Sequence, residues 1–393
     1  MSTRLIEGLI FITKTNKIDF CPLIDFYQMT NREQQIIDAI QANPLIAQQE
    51  LAELIGISRS AIATHITNLT AKGVIKGRGY VIAHECFSVV IGGANMDIVG
   101  APNSAILPLT SNPGTVSSSP GGVARNIAEN LARLNNKCYL MAAVGNDNHG
   151  KQLINTTQHA GVDTSHILTI EGANTSSYLS IVDDSGEMQL AIADMAIVEQ
   201  LTPQRLKRQL PLLKQASCIV LDTNISEALI EFLFTNLPTT DFFVDTVSIA
   251  KVEKIRHFLP FIHSLKPNIL EAQHLSGMSI KDFSELPQLA NWFHEQGVKN
   301  LYISLGKDGL FFSNSTTQQH ITLPANIVTN VNGAGDAMTA ALAHCHLANK
   351  TPLESCLFAL AAANLTLAST LTNNPDLSQT SVNKLLKETQ CPH

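Results

Sequence analysis

The stretch Asn330-Val331-Asn332-Gly333-Ala334-Gly335-Asp336 runs straight into Ala337-Met338-Thr339-Ala340-Ala341-Leu342-Ala343. The second half is small, apolar and alanine-rich, so it reads as a helix that must be buried. The first half is a glycine turn that delivers the chain onto that helix. Its glycines let backbone N–H groups approach a ligand, and amides at a helix N-terminus attract an anion, phosphate above all. Asp336 falls in the first turn, where the helix dipole favours the ionised carboxylate. A carboxylate beside a phosphate cradle can take a proton from an alcohol while a phosphoryl group transfers to it. Alone, Gly-Ala-Gly-Asp fits an ordinary helix start equally well. Further glycine-rich elements upstream tip the balance toward a ligand.

A chain of 393 residues accommodates two or three domains. Hydrophobic residues make up 45% and charged residues 15%, the texture of a well-buried chain. The net charge of −7 argues against non-specific nucleic-acid affinity of the whole protein. The cysteines number seven and include no Cys-x-x-Cys pair. That pattern predicts reduced thiols in the cytoplasm, and neither a disulfide framework nor a zinc site. Leu5-Ile6-Glu7-Gly8-Leu9-Ile10-Phe11-Ile12 is too short to span a bilayer and lacks a cleavage site, so no membrane partner is expected.

Residues 1–28 read as an extension, with Met29 as the expected functional start. Thr30 follows as an N-cap, and Glu33 three residues on completes a capping box. Residues 31–42 form an amphipathic helix with Ile36, Ile37 and Ile40 on one face, stopped by Pro44. A second helix through 48–55 ends at Gly56, and Ser58 caps a third over 59–71. Residues 73–82 read as a two-stranded wing turning at Gly77 to Gly79. Helix, helix, tight turn, helix and wing resembles the winged helix-turn-helix domains of small bacterial transcription regulators over about 30–83. The DNA-facing residues it implies are Arg59, Thr64, His65, Asn68, Lys76 and Arg78. Basic residues in the domain (Arg32, Arg59, Lys72, Lys76, Arg78) are nearly balanced by acids, which leaves a protein-interaction module open as the alternative.

From Phe87 the texture changes to strands alternating with helices, an α/β pattern with a mostly parallel sheet. Ser88-Val89-Val90-Ile91 is an apolar strand ending in Gly92-Gly93-Ala94-Asn95-Met96-Asp97, which places Asn95 and Asp97 at its carboxyl end, where open sheets bind ligands. Pro120-Gly121-Gly122 opens a helix with Asn126 one turn in; 140–144 reads as a strand and 145–150 as a turn. Residues 175–193 read as a hairpin turning at Asp183-Asp184-Ser185-Gly186, projecting over the strand ends as a lid or a dimer contact. Strands follow near 218–222, 242–245, 263–266 and 301–305. Asn268 and Glu271 lie one helical turn apart, suited to a hydrated Mg²⁺ beside phosphates. Ser304-Leu305-Gly306-Lys307-Asp308-Gly309 is a glycine turn, and 352–370 a last buried helix containing Asn364.

Taken together, Gly92-Gly93-Ala94-Asn95-Met96-Asp97, Gly121-Gly122 with Asn126, Val144-Gly145-Asn146-Asp147, Asn268 with Glu271, and Gly333-Ala334-Gly335-Asp336 resemble the ribokinase-like (PfkB) sugar and nucleoside kinases over about 86–393. Within that family the likeness is strongest to the branch that phosphorylates pseudouridine. It is carried by Ser111-Asn112-Pro113-Gly114, Asn174-Thr175-Ser176-Ser177-Tyr178-Leu179-Ser180, Gly186-Glu187-Met188 and Thr372-Asn373-Asn374-Pro375-Asp376-Leu377-Ser378. The resemblance implies ATP and Mg²⁺ as cofactors, Asp336 as general base toward a 5′-hydroxyl, and the amides of Gly333, Ala334 and Gly335 as the anion hole. It assigns the ribose to Asn95, Asp97, Gly121, Gly122 and Asn126, with Thr175 and Asp194 closing over the nucleoside from the lid. It assigns ATP to Asn268, Glu271, Ser304, Gly306, Gly309 and Asn364, with Glu271 reaching Mg²⁺ through water. Asn330-Val331 and Asn332 stand where many members have Asp-Thr and Thr, a departure that weakens any monovalent-cation site. A homodimer through the lid is expected. Inosine, uridine and ribose remain open as substrates, as does a second role as a nucleoside- or sugar-sensing transcription regulator.

Overall fold

The computed structural model describes residues 30–43, 46–72, 74–75, 86–323 and 328–390. The chain divides into two compact units, Met1–Glu85 and Cys86–His393. Residues 1–28 and Met29, Pro44, and the wing residues that include Lys76 and Arg78 lie outside the described residues.

In the first unit α1 (Asn31–Ala42), α2 (Gln48–Ile55) and α3 (Arg59–Ala71) close on Ile36, Ile37, Ile40, Leu51, Ile62 and Leu69. Each fully buried Ile or Leu contributes roughly 1.5–3 kcal/mol, and the periodicity that predicted these helices is the periodicity that buries them. The capping box is formed: Glu33 N donates to Thr30 Oγ1 at 3.2 Å, and Thr30 N to Glu33 Oε2 at 2.8 Å. Gly56 ends α2 at a left-handed φ of 72°, and Ser58 Oγ accepts from Ala61 N at 3.2 Å to start α3. Glu33 also accepts from Lys72 Nζ on both oxygens, at 2.9 and 3.0 Å, tying α1 to the end of α3. Those Lys72 bonds, and then the Thr30 amide, hold the Glu33 pKa below its ordinary value. Lys72 is therefore engaged within the bundle rather than offered outward.

The second unit is built on an eight-stranded sheet. Its strands are β1 (Phe87–Ile91), β4 (Lys137–Met141), β9 (Cys218–Asp222), β10 (Phe242–Asp245), β11 (Ser264–Lys266), β12 (Asn300–Ser304), β13 (Leu310–Ser313) and β14 (Gln318–Ile321), in the order β14-β13-β12-β11-β10-β9-β1-β4. β13 and β14 are antiparallel to their neighbours and the others run parallel. Both faces are covered, as parallel strands require. Alternate residues sort to opposite cores: Val89, Ile91, Ile219 and Leu221 to one, Val90, Cys218 and Val220 to the other. The second core also receives α4 (Val123–Arg133), α9 (Ala334–Leu347) and α10 (Pro352–Leu367); α6 (Glu227–Asn236) and α8 (Leu286–Glu295) cover the first.

Five expectations are corrected. The lid is no lone hairpin but a four-stranded sheet, β3 (Gly114–Gly121), β2 (Asn95–Pro102), β7 (Ser177–Val182) and β8 (Met188–Asp194), in that order. Asn95 and Asp97 thus open β2 rather than end β1; the two glycines between the strands turn the chain out of one sheet into the other. The strand expected over 140–144 breaks at Ala142, and β5 (Ala143–Gly145) pairs instead with β6 (Leu168–Ile170). The turn expected at 145–150 is the start of α5 (Asn148–His159), capped by Asp147. Finally, 352–370 is not the last helix: α10 stops at Leu367 and α11 (Gln379–Gln390) follows. Cys138, Cys218, Cys345 and Cys356 are free and buried, in line with the expected reduced thiols.

Candidate active site

A cleft of about 950 Å³ lies between the lid sheet and the heads of α4 and α9. Among its lining residues are Asn95, Asp97, Gly122, Asn126, Gly333 and Asp336. Residues more than two hundred positions apart thus share one wall.

On the lid side, Asn95 Nδ2 donates to Asp97 Oδ1 at 2.6 Å. Burial raises the Asp97 pKa, against the pull of Asn95 and of the Arg125 charge. Gly121 lies directly beneath that carboxylate: a Cβ there would sit 2.1 Å from Asp97 Oδ2. Gly122, the N-cap of α4, has φ 99°, and its Cβ would meet Ala94 Cα at 2.6 Å. Both glycines are demanded by the protein's own packing. Beneath them, buried Asp222 accepts from Gly93 N and Ala124 N, each at 2.9 Å, so a strand-end carboxylate fastens both glycine turns.

At the centre, Asn126 Nδ2 donates to Asp336 Oδ2 at 2.8 Å. Asn126 is itself oriented by Arg125, whose Nη1 donates to Asn126 Oδ1 at 3.1 Å and to Asn373 Oδ1 at 3.0 Å. Arg125 is buried and ion-paired with Glu129. Asp336 does not behave as its place on the helix suggested. Burial, and next the negative charge of Asp245, push its pKa up to about 8, against the Asn126 bond and Lys266. The helix dipole is outweighed by desolvation. Gly333 caps α9 at φ 81°, and a Cβ on it would lie 2.0 Å from Thr372 O. At Gly335 a Cβ would lie 3.1 Å from Lys266 Nζ, so glycine here leaves the ammonium room beside the turn.

Lys266 ends β11 and is buried, with Nζ 3.0 Å from Asp245 Oδ2. Burial disfavours its charge, but Asp245 outweighs that and lifts the Lys266 pKa above its ordinary value. Thr339 Oγ1, one turn beyond Asp336, donates to the same Asp245 oxygen at 2.7 Å. Sequence reasoning missed Lys266 and Arg125 as site residues, whereas Asp222 and Asp245 were legible as acids at strand ends. The available signal was a charge at the end of an apolar strand or just inside a glycine-opened helix.

Asn268 and Glu271 start α7 (Ile269–Ser276) as a capping box. Glu271 N donates to Asn268 Oδ1 at 2.9 Å, Asn268 N to Glu271 Oε2 at 2.8 Å, and Thr246 Oγ1 to the same Oε2 at 2.5 Å. Ser304 bridges to Asn268 at the end of β12, and Gly306 and Gly309 form the following turn, with φ 61° and 93°. Asn364 on α10 donates to Leu323 O at 3.4 Å. All these candidates but Asn364, which lies within α10, stand at or just past the carboxyl ends of β11 and β12, and none of them lines the cleft that holds Asp97 and Asp336.

Two lid residues stand elsewhere. Thr175 is buried, with its hydroxyl donating to Asp147 Oδ1 at 2.6 Å and accepting from Gly145 N at 2.9 Å. That hydroxyl secures the cap of α5 and is spent there. Asp194 is exposed at the end of β8, between the lining residues Ala193 and Met195. In the first unit Arg59, Thr64 and Asn68 are exposed on α3; His65 is half-buried.

Residues 87–379 match the pfkB family of carbohydrate kinases, and residues 29–76 match the winged helix-turn-helix DNA-binding domains. Pseudouridine kinase of Escherichia coli (strain K12) is 41% identical over 306 residues, 78% of this chain and 98% of the relative. The uncharacterized sugar kinase YeiI of the same strain is 39% identical over 351 residues, 89% of this chain and 97% of the relative. A carbohydrate kinase from Agrobacterium tumefaciens superposes with a TM-score of 0.69 at 28% identity, covering 77% of this chain and 97% of that one. Arabidopsis thaliana ribokinase complexed with ribose and ATP gives 0.70 at 25% identity, covering 77% and 99%.

Proposed function

Since the chain belongs to the pfkB family of carbohydrate kinases and is a phosphotransferase acting on a hydroxyl group, we propose that it phosphorylates the 5′-hydroxyl of a ribonucleoside, pseudouridine, at the expense of ATP. The observation that carries this reading is the Arg125–Asn126–Asp336 relay facing Asn95 and Asp97 across one cleft. Asp97 and Asn95 accept and donate to ribose hydroxyls, and Asn126 holds the Asp336 carboxylate toward the remaining one. Asp336 takes the proton of that hydroxyl as it attacks. Its raised pKa makes it a strong enough base to hold the proton once taken. The choice of nucleoside rests on the 41% identity to pseudouridine kinase along nearly that whole protein.

The residues fit a nucleotide and its metal. Gly333, Ala334 and Gly335 open α9 without a side-chain cap, leaving helix-start amides for phosphate, with the Lys266 ammonium beside Gly335. Glu271 Oε1 accepts no hydrogen bond among the described residues and suits a metal-bound water. Glu271 and Asn268 would hold Mg²⁺ through water, and the ion would neutralise charge on the phosphates of the ATP that supplies the phosphoryl group. Asn330 Oδ1 accepts from Asn332 N at 2.9 Å, which occupies the side chain standing where the family often has a carboxylate and argues against a strong monovalent-cation site. Met188, Leu190 and Ile192 expose one apolar face of the edge strand β8, which supports a homodimer through the lid.

The test is a coupled ATP-consumption assay across pseudouridine, uridine, inosine and ribose. Pseudouridine should give the highest kcat/KM by at least about tenfold, a difference of roughly 1.4 kcal/mol in transition-state binding. Equal rates on ribose would overturn the nucleoside assignment. A second role in DNA binding is favoured by the outward set Arg59, Thr64 and Asn68 on a matched helix-turn-helix domain.

A further inference from the structure

At the opposite end of α9 from Asp336, the last turn carries His346, ten residues on and therefore about 15 Å along the axis. His346 Nε2 lies 3.2 Å from Asp241 Oδ2, and His263 Nε2 lies 3.9 Å from Asp241 Oδ1. Asp241 immediately precedes β10 and His263 immediately precedes β11, adjacent parallel strands, so the sheet sets them side by side at its amino edge. One ligand atom from each residue lies within 4.8 Å of the other two. A four-coordinate zinc ion, with bonds of about 2.0–2.1 Å, holds its ligands about 3.3 Å apart. The His346–Asp241 pair is already near that spacing, the His263–Asp241 pair is at 3.9 Å through the other carboxylate oxygen, and no two of the three ligand atoms are more than 4.8 Å apart.

The surroundings fit metal ligation. His263 Nδ1 is hydrogen-bonded with Ser264 Oγ at 3.0 Å, which turns Nε2 toward Asp241, the outer-shell arrangement that orients a ligating imidazole. The Phe243 ring packs against both imidazoles, with centroids at 5.7 and 5.2 Å, and walls the inner side. The three side chains are 17–32% exposed, so an ion enters from solvent and keeps an open position. The C-terminus of α9 favours a cation there, while Lys299 is the nearby charge that opposes one. Nothing in phosphoryl transfer uses these residues.

We propose that Asp241, His263 and His346 form a second cation site, for a divalent transition ion of the zinc type, with three protein ligands and one open position. Two imidazoles and a carboxylate select such an ion over Mg²⁺, which prefers an all-oxygen shell. Bound there, it clasps the tail of the helix whose head carries Asp336 to the strands that end in Asp245 and Lys266.

The full chain, freed of metal with a chelator and held in excess Mg²⁺ to occupy hard-cation sites, is titrated with Zn²⁺ by calorimetry and with Co²⁺ by visible absorption. The expected result is one ion per chain, on the order of micromolar, a nitrogen-ligated Co²⁺ spectrum, and a melting temperature that rises with Zn²⁺. His346→Gln and His263→Gln should each weaken binding by more than about tenfold, and Ser264→Ala by about tenfold, the scale of outer-shell losses. Folding of each variant is checked by its metal-free melting curve and by kinase activity. Absence of Zn²⁺ heat and of a Co²⁺ band in the unaltered chain, or a band that persists in both histidine variants, overturns the site. Should a histidine variant fail to fold, Ser264→Ala, which keeps all three ligands, still reads the site, and unchanged Co²⁺ binding in it overturns the proposal.

Discussion

Two helices of the C-terminal unit begin at the carboxyl edge of the same sheet with an acid at the third position, yet they treat it in opposite ways. In α7 the cap is Asn268 and the acid Glu271, and the pair closes on itself: each side chain takes the other's backbone amide. In α9 the cap is Gly333, which has no side chain to offer, and the acid Asp336 turns away to accept from Asn126 on another helix. One start is satisfied internally; the other keeps its amides uncapped and its carboxylate desolvated. The difference teaches where the chain reserves free energy for a ligand. A capping box is worth about 1 kcal/mol to stability, whereas an open helix start is worth something only when an anion arrives.

The sharpest way to break this comparison is at Asp336. Asp336→Asn keeps the shape and the contact with Asn126 but removes the base, so kcat should fall about 10²–10⁴-fold with nucleoside KM little changed. Near-normal kcat would remove Asp336 from the mechanism. The same residue governs pH. Its folded pKa, about 8, lies above the unfolded carboxylate value of about 3.9, so the folded chain binds the proton more tightly. Its contribution to stability is therefore complete below the unfolded pKa and is lost as pH rises through about 8. The melting temperature of the unaltered chain should drop toward pH 8 relative to Asp336→Asn, and kcat/KM should climb with pH to a plateau above about 8. Melting curves that run parallel from pH 5 to 9 would contradict the shift.

The next effects separate the two glycines. Gly333→Ala forces a side chain into left-handed backbone and against Thr372 O, and should destabilise the protein by about 1–3 kcal/mol in urea unfolding. Gly335→Ala meets only the end of the Lys266 side chain, so its stability cost should stay below about 1 kcal/mol while the KM for ATP rises several-fold. Equal stability losses would mean that both glycines serve packing alone. On the other helix, Glu271→Ala removes half of the capping box and should cost about 0.5–2 kcal/mol, with a smaller loss of kcat than Asp336→Asn gives.

How much of this was readable beforehand follows from the range of the interactions. Thr30 with Glu33, Ser58, Gly56 and the start of α9 are set within a few residues, and the sequence displays them. The relay onto Asp336 spans 210 positions from Asn126, and the Asp245–Thr339 bond spans 94. Nothing local distinguishes Arg125 from any helix arginine, or Lys266 from the end of any strand. Thr175 shows the converse. Its place beside the lid was legible, but whether its hydroxyl faced a substrate or Asp147 depended on a loop 28 positions away. The raised pKa of Asp336 escaped for the same reason, since the dipole is local whereas burial and Asp245 are not.

A third helix start extends the comparison and carries the smallest effect. α3 is closed by its own Ser58, so its amides are already partly satisfied, and what it offers outward is the exposed side chain of Arg59 at its first position. A phosphate would therefore meet a single guanidinium rather than an open cradle. With Lys72 engaged by Glu33, little positive charge remains on the described face of α3, and binding by one domain should be weak. Pairing of two domains through a kinase dimer would raise it by proximity alone. Arg59→Ala should lower affinity for DNA carrying the preferred site only several-fold, reduce the slope of log affinity against log salt by about one, and leave kinase activity unchanged. Gel-shift titrations at several salt concentrations, with and without pseudouridine, measure all three quantities. An unchanged salt slope would mean that Arg59 touches no phosphate, and no preference for any DNA at low salt would make the N-terminal unit a protein-interaction module.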